Sequence, residues 1–385
     1  MSGATPTVDL AWADSFYLLV VGCLVFFMQA GFAMLEAGSV RAKNTKNILL
    51  KNLLDACIGA IIWWAWGFGV AYSGSNAFIG TVSSGGGPSF FSKGWTGENE
   101  NASGGDFAFW FFQYGFAAAG ATIVSGAVAE RAQLLAYLIY TVVITGWIYP
   151  VVVHWVWATG GFLSVFTEVE EDTVLGGCID FAGSGVVHMT GGIAAFCGAA
   201  IIGPRLGRYD SNKKVQPMPG HSAVLSVLGT FILWLGWYGF NPGSTLAISN
   251  SGYAQTMARV IVTTTLSAAA GGVTTVLIDR LFVSKMWDIA MVCNGILGGL
   301  VSITAGAAVI TPWYAFVVGI IGGGIYYGAS KLMVNVLKID DPLDAFAVHG
   351  ACGFWGVFAT GLFGDPIYTK AAYAWAAGQD LGDEW

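Results

Sequence analysis

Charged residues are scarce in this chain of 385 residues. Lys, Arg, Asp and Glu together make up 10% of it and apolar residues 55%, whereas an ordinary soluble domain carries about 25% charged residues. So few charges do not cover the surface of a soluble protein, but lipid can solvate the outer face of a chain inside a bilayer. The composition therefore excludes a soluble enzyme, a nucleic-acid-binding protein and a disordered chain, and it predicts a polytopic membrane protein.

Other chemical groups are also few. Five of the six cysteines lie in apolar segments and only Cys178 lies in a polar loop, which indicates small buried side chains rather than disulfides or a metal site. No Lys lies in the middle of an apolar stretch, which excludes a pump with a Schiff-base lysine. No nucleophile–base pair is visible, so we expect no enzyme, no metal and no cofactor. The first sixteen residues hold no Lys or Arg, unlike a signal or transit peptide.

Ten apolar stretches approach the roughly 20 residues that span a bilayer as a helix. Helices are predicted because lipid offers the backbone no hydrogen-bond partners. The stretches cover residues 12–38, 48–73, 107–128, 133–163, 182–202, 221–240, 256–279, 287–307, 312–333 and 345–363.

The basic residues predict the orientation of these spans. Thirteen of the sixteen lie in or beside the odd-numbered connections, and only Lys93, Arg259 and Lys370 lie on the other side. Basic loops stay in the cytoplasm, so the N-terminus is expected outside. Two of the loops expected outside have distinctive sequences. One contains a glycosylation sequon that begins at Asn101, and we favour a chance match over a glycosylated site because short sequons are common. Residues 164–179 are acidic, which is typical of a solvated face, although an acidic mouth would also concentrate cations.

Two of the four histidines lie deep in apolar stretches. His188 and His349 share the pattern V-H-x-x-x-G, with Asp180 and Asp344 upstream. The alternative for a single such histidine is a hydrogen bond to a neighbouring helix, but intramembrane ionisable groups usually mark an ion or proton path. We therefore interpret the two as a pair lining a pore.

The two histidines fall on spans five and ten. Because five is odd, residues 12–202 and 221–363 cross the membrane in opposite senses, as in an inverted repeat with its substrate site near the midplane. His188 is eight residues from Asp180 and His349 is eight residues from Asp341, about 12 Å along a helix. Both histidines are therefore expected near mid-membrane.

Aromatic side chains form a second candidate group. Phe116 and Phe240 lie beside glycines, and Trp157 lies near the outer end of span four. An interfacial aromatic belt explains most of the tryptophans. Alternatively, these rings bind a small cation through their faces, with Ser244 accepting a hydrogen bond from it. The pattern leaves both interpretations open.

Five segments resemble the motifs of the ammonium transporter (Amt) family, in particular its plant, algal and bacterial AMT1-like branch within the Amt/Mep/Rh superfamily. They are GFAMLEAGSVRAKN, GAVAERA, DFAGSGVVHMTGG, WYGFNPGS and DDPLDAFAVHGACG, in this order from span one to span ten. The resemblance implies an all-α, eleven-span fold with an inverted repeat of five plus five helices. It also implies a homotrimer in the plasma membrane, with one pore in each subunit.

The resemblance also assigns roles to residues. Its implied substrate is ammonium or ammonia, with methylammonium, and its implied partner is a cytoplasmic PII-type regulator. His188 and His349 match the twin pore histidines, and Phe116 and Phe240 match the stacked rings of the gate. The outer recruitment site is matched by Trp157, Ser244 and Asp180 together with the gate residue Phe116. Gln113 and Trp237 neighbour the gate motifs and are secondary candidates.

The sequence departs from the family pattern in one respect, and two alternative functions are left open. The eleventh span and the cytoplasmic tail are expected to be missing, so residues 1–385 would form a single membrane domain without them. A Rhesus-type ammonia gas channel shares the twin histidines but usually lacks the recruiting Trp and Ser. An ammonium sensor would need a signalling domain.

Overall fold

The computed structural model describes residues 11–73, 76–80, 104–166 and 174–373, and these ranges are mostly helical. Asn101 and the four acidic residues Glu168, Glu170, Glu171 and Asp172 lie outside the described residues. Ten helices follow the ten apolar stretches in order. They are α1 Trp12–Ser39, α2 Ala42–Tyr72, α3 Phe107–Val128, α4 Leu134–Trp157, α5 Ser184–Ile202, α6 Ala223–Gly243, α7 Ser251–Val283, α8 Ile289–Thr304, α9 Pro312–Leu337 and α10 Phe346–Phe363. A short helix α11 follows at Pro366–Tyr373.

Helix α8 is the shortest of the ten. Among the described residues, the other nine are long and apolar enough to cross a bilayer, whereas α8 has 16 residues, or about 24 Å. The predicted stretch 287–307 is therefore only partly helical. Its end is a buried turn whose carbonyls are satisfied within the protein: Thr263 donates to Ala307 O and Arg259 to Ala308 O. Irregular backbone is tolerated at membrane depth when protein groups satisfy it in this way.

The ten helices pack as two halves with matching contacts. In the first half α1 packs on α3, α2 on α4 and α3 on α5, and the second half repeats this as α6 on α8, α7 on α9 and α8 on α10. The halves meet where α1 packs on α6 and α5 on α10. This repeated pattern agrees with the predicted repeat of five plus five helices, and it brings together the two helices that carry His188 and His349.

Glycine allows α5 and α10 to cross closely. A Cβ atom on Gly192 would lie 2.1 Å from the backbone nitrogen of Gly350, closer than any real contact. Gly192 is one helical turn beyond His188, and Gly350 directly follows His349. The short separation of the two histidines therefore depends on a missing side chain at this crossing.

Two sequence interpretations are corrected by burial. Three of the free cysteines, Cys23, Cys57 and Cys197, are exposed on the outside of the helices, so they are not buried core residues.

In addition, His154 in α4 is fully buried, which makes it a third histidine deep in an apolar span. Its ring nitrogens contact the carbonyl oxygens of Ala71 and Asn76 at 2.8 and 2.6 Å, so it ties α4 to the end of α2.

Candidate functional site

A cavity of about 400 Å³ lies where α4 ends and α5 begins. Five of the nine residues singled out in the sequence line it, namely Gln113, Phe116, Trp157, Asp180 and Ser244. Most of the large side chains around them are aromatic, including Tyr72, Phe109, Phe112, Tyr253 and Tyr373. Ring faces attract a small cation by about 0.5–2 kcal/mol, so the lining suits a monovalent cation with few water molecules.

Trp157 lines this cavity and is held in place by two contacts. Its indole Nε1 donates to the carbonyl oxygen of Asp180 at 2.7 Å, and its ring meets Phe116 nearly edge-on at 5.9 Å. Ser244 follows directly after α6, and its Oγ donates to the carbonyl oxygen of Phe240 at 2.9 Å. Because its proton is used in this way, the hydroxyl lone pairs remain available to accept a hydrogen bond from a donor in the cavity.

The carboxylate of Asp180 holds the beginning of α5. Its Oδ1 accepts from the backbone of Gly183 at 3.1 Å, and its Oδ2 accepts from Gly185 at 2.9 Å and Val186 at 2.8 Å. Burial raises the pKa of this carboxyl to about 6, although the backbone hydrogen bonds act in the opposite direction. Asp180 therefore caps a helix and is ionised at neutral pH next to the cavity.

Two phenylalanine rings close the inner end of the cavity. The ring centroids of Phe116 and Phe240 are 4.0 Å apart with an angle of 31° between the planes. Both side chains are fully buried, and Phe112 packs against Phe116 at 4.8 Å. The rings must separate before even a small molecule can pass, so this pair has the geometry of a gate.

The two pore histidines lie directly beyond the gate. The Nδ1 atoms of His188 and His349 are 3.2 Å apart, and their rings are nearly parallel with centroids 5.2 Å apart. One Nδ1 must donate and the other must accept, so the pair shares one proton. His188 also stacks on Phe240 at 5.4 Å. The gate rings and the two histidine rings thus form one continuous stack, in the order Phe116, Phe240, His188 and His349.

Trp237 has a larger part in this stack than its sequence position indicates. Its ring lies 5.2 Å from His188 at an angle of 19°, and its Nε1 donates to Thr304 Oγ1 at 3.0 Å. The indole therefore fixes the orientation of the His188 ring. Gln113 differs, because it lines the outer cavity and its Oε1 has no hydrogen-bond partner within the described ranges.

The acidic residue that mirrors Asp180 is Asp341 and not Asp344. Asp341 Oδ2 accepts from the backbone of Phe346 at 2.8 Å at the beginning of α10. Burial, followed by the charge of Asp344, raises the pKa of Asp341 to about 7. Asp344 instead accepts from Tyr326 and Ser330 of α9, each at 2.9 Å. Pairing Asp180 with Asp344 from the sequence was therefore wrong, and the equal spacing of eight residues was the better signal.

Sequence reasoning missed two side chains on the inner side of the histidines. Phe32 of α1 lies 6.3 Å from the His349 ring, and Glu36 lies one helical turn further along the same helix. The signal for Glu36 was available, because it is an acidic residue inside the first apolar stretch. Across the described residues, no group of three His, Cys, Asp or Glu side chains has a metal-binding arrangement.

Known proteins match both the sequence and this fold. The model of the Ammonium Transporter Family matches residues 16–384. Ammonium transporter 1 member 3 of Solanum lycopersicum is 44% identical over 370 residues, which cover 94% of this chain and 76% of that protein.

Two solved structures superpose closely. The structure titled Sensor Amt Protein has a TM-score of 0.82 at 32% identity, with 96% of this chain and 91% of that chain covered. Saccharomyces cerevisiae Mep2 has a TM-score of 0.79 at 28% identity, with 94% and 76% covered. These matches extend over nearly the whole chain and include every helix that forms the stack. The chain therefore belongs to the ammonium transporter family, a family of membrane transport proteins and not of enzymes.

Proposed function

We propose that this transporter moves ammonium as NH3 and a proton that travel separately past the gate. One observation carries the proposal, namely the hydrogen-bonded pair of His188 and His349 directly beyond the stacked rings of Phe116 and Phe240. The pair can accept a proton at one nitrogen and release it from another, because each imidazole has two.

Desolvation is the physical reason for separating NH3 from the proton. A bare cation that enters a low-dielectric interior costs several kcal/mol even after relaxation. The described contacts around His188 are made by ring faces, because Phe240 and Trp237 both stack on it and the Trp237 indole N–H is directed to Thr304. Neutral NH3 crosses such a passage at much lower cost, and the histidines keep the overall transfer electrogenic by carrying the charge.

The outer cavity supplies the cation to the gate. Trp157 and Phe116 offer ring faces, and the Ser244 hydroxyl accepts one N–H of the ion, so NH4+ is favoured over K+, which donates no hydrogen bonds. Methylammonium keeps three N–H donors and is expected to follow the same route. Asp180 contributes mainly by fixing the beginning of α5 and secondarily by its negative field, whereas Gln113 is a further acceptor in the cavity.

Orientation and assembly extend the proposal. We place the N-terminus and the outer cavity outside the plasma membrane, because Trp157 and Ser244 lie at the ends of α4 and α6, which precede the loops that are poor in basic residues. The family resemblance supports a homotrimer with one pore per subunit and a PII-type regulator at the cytoplasmic face.

The experiment compares His188→Ala and His349→Ala with the wild type in an expressing cell under voltage clamp. Loss or a sharp reduction of the ammonium-evoked current supports the relay. Wild-type current with wild-type selectivity in both variants would leave the pair as a structural lining.

A further inference from the structure

A buried carboxylate lies on the inner side of the histidine pair. Glu36 of α1 is 1% exposed and comes one helical turn after Phe32, the residue that contacts the His349 ring. Its Oε2 accepts from Asn52 Nδ2 at 2.9 Å, and Ser125 Oγ donates to its Oε1. Glu36 is thus held by α2 and α3 at the depth of the pore.

A small cavity connects this carboxylate with the histidine pair. Its volume is about 20 Å³, and Glu36, Phe32 and His349 are among the residues that line it. A cavity of about 10–15 Å³ is sufficient for one water molecule. Asn294 lines the same cavity, so a water there would find several polar partners. His349 is the ring of the pair that faces this space.

We propose that Glu36 is the inner proton acceptor of the relay, an inference that rests on the proposed function. When His349 is protonated, its proton passes through one water molecule to the Glu36 carboxylate, which leaves a neutral imidazole and a neutral carboxylic acid. The acid then gives the proton to NH3 arriving on the inner side, which forms NH4+ and restores the carboxylate. No bond other than O–H and N–H changes.

The hydrogen bonds of Glu36 suit both protonation states. The amide Nδ2 of Asn52 donates to either form. The Ser125 hydroxyl donates to the carboxylate and can rotate to accept from the acid, because a hydroxyl is both donor and acceptor. Both oxygens of the carboxyl group therefore keep a hydrogen-bond partner when a proton is gained or lost.

The charged groups nearest to Glu36 lie on the neighbouring helices. Lys51 and Asp55 of α2 both interact electrostatically with it, and the Lys51 Nζ donates to Ala132 O at 2.6 Å. Tyr137 of α4 lies beside Lys51, with its ring centroid 5.4 Å from Nζ. The positive charge of Lys51 therefore has one partner in the connection between α3 and α4 and another in α4. Lys51 does not form an ion pair with Glu36 in the structure.

Asp55 provides a matched control. It is also 1% exposed, and it also accepts two side-chain hydrogen bonds, from Thr122 at 2.8 Å and from Thr141. Unlike Glu36, it is not among the described residues that line the inner cavity. If Glu36 only clamps α1, α2 and α3 together, the loss of either carboxylate has the same kind of effect.

The test measures the charge moved per molecule transported. Glu36→Gln and Asp55→Asn are reconstituted in liposomes, and methylammonium uptake and electrical charge are recorded in the same preparation. We expect Glu36→Gln to lower the charge-to-uptake ratio about tenfold or more, in line with the loss of a general acid–base group, whereas Asp55→Asn keeps the wild-type ratio. Glu36→Asp should restore most of the ratio because it keeps a carboxyl group.

Two outcomes of this test would contradict the role of Glu36. An unchanged ratio in Glu36→Gln, or an equal change in both variants, overturns the assignment. If Glu36→Gln does not fold, Glu36→Met, of similar length and without an acid group, takes its place in the same comparison. The histidine variants separate the two proposals. If His188→Ala loses the coupled current while Glu36→Gln keeps it, only the role of Glu36 fails. If the histidine variants keep coupled current, the relay itself fails.

Discussion

Substitution of Asp180 by Asn tests whether this residue acts mainly as a helix cap or as a negative charge at the cavity. Its two carboxylate oxygens accept three backbone hydrogen bonds, two of them on Oδ2. An Asn side chain has one oxygen. Placed at the Oδ2 position, this oxygen keeps the bonds from Gly185 and Val186, but the NH2 group then faces the N–H of Gly183 and cannot accept from it. Each buried donor left unpaired costs about 1–3 kcal/mol. With one such donor unpaired, we expect Asp180→Asn to destabilise the protein by about 2–3 kcal/mol.

The matched control is Asp341→Asn at the beginning of α10. Asp341 accepts one hydrogen bond from a backbone N–H through Oδ2, from Phe346, and its Oδ1 has no partner in the described structure. The single oxygen of Asn can keep that bond, so the expected loss is only about 1 kcal/mol. Thermal unfolding of the purified variants in detergent gives the comparison.

The ammonium current distinguishes the two roles of Asp180. A cap predicts fewer active transporters with a nearly normal half-saturation concentration. A higher half-saturation concentration in a variant with wild-type stability would refute the capping argument and leave the field of the charge as the main role. Normal stability together with normal transport would show that both roles are minor.

Three further predictions concern the cavity and the helix crossing. Trp157→Leu combined with Ser244→Ala removes a cation–π contact and a hydrogen-bond acceptor, so the half-saturation concentration should rise about tenfold without loss of folded protein; an unchanged value in current recordings would remove this site. Because the raised pKa of Asp180 is about 6, the carboxylate takes up a proton as the external pH falls through 6, and the wild-type current at saturating ammonium should fall in that range. Asp180→Asn should lack this inflection, and an identical pH profile would contradict the assignment. Gly192→Val should abolish transport because its side chain would overlap the backbone of Gly350, whereas Gly324→Ala, where a Cβ meets nothing within 4 Å, should behave as the wild type in uptake and size-exclusion experiments.

The positions of the spans and of the histidine pair could be predicted from the sequence, because hydropathy and intramembrane ionisable residues are strong signals. All ten apolar stretches contain a helix, and His188 lies beside His349 as expected. The end of α8 could not be predicted, because hydropathy does not distinguish a buried turn from a helix. Burial of a polar turn depends on donors such as Arg259, which come from another helix.

The finer parts of the site depend on three-dimensional packing that one sequence does not reveal. The contact of Trp237 with His188 joins α6 to α5, and no spacing within either helix indicates it. The burial of His154 likewise depends on its partners, which are backbone carbonyls at the end of α2 and leave no signal in the sequence of α4. Glu36 stands in a recognisable motif, but its meaning depends on the cavity that it shares with His349.

The most direct test of the relay is the ammonium-evoked current of His188→Ala and His349→Ala, measured together with methylammonium uptake and with Trp157→Leu as a variant of the outer cavity. The relay predicts that either histidine variant loses most of the current, while uncharged flux continues and the protein reaches the membrane. The Trp157 variant should instead keep its charge-to-uptake ratio and change only its half-saturation concentration. Wild-type current and wild-type selectivity in both histidine variants would contradict the relay.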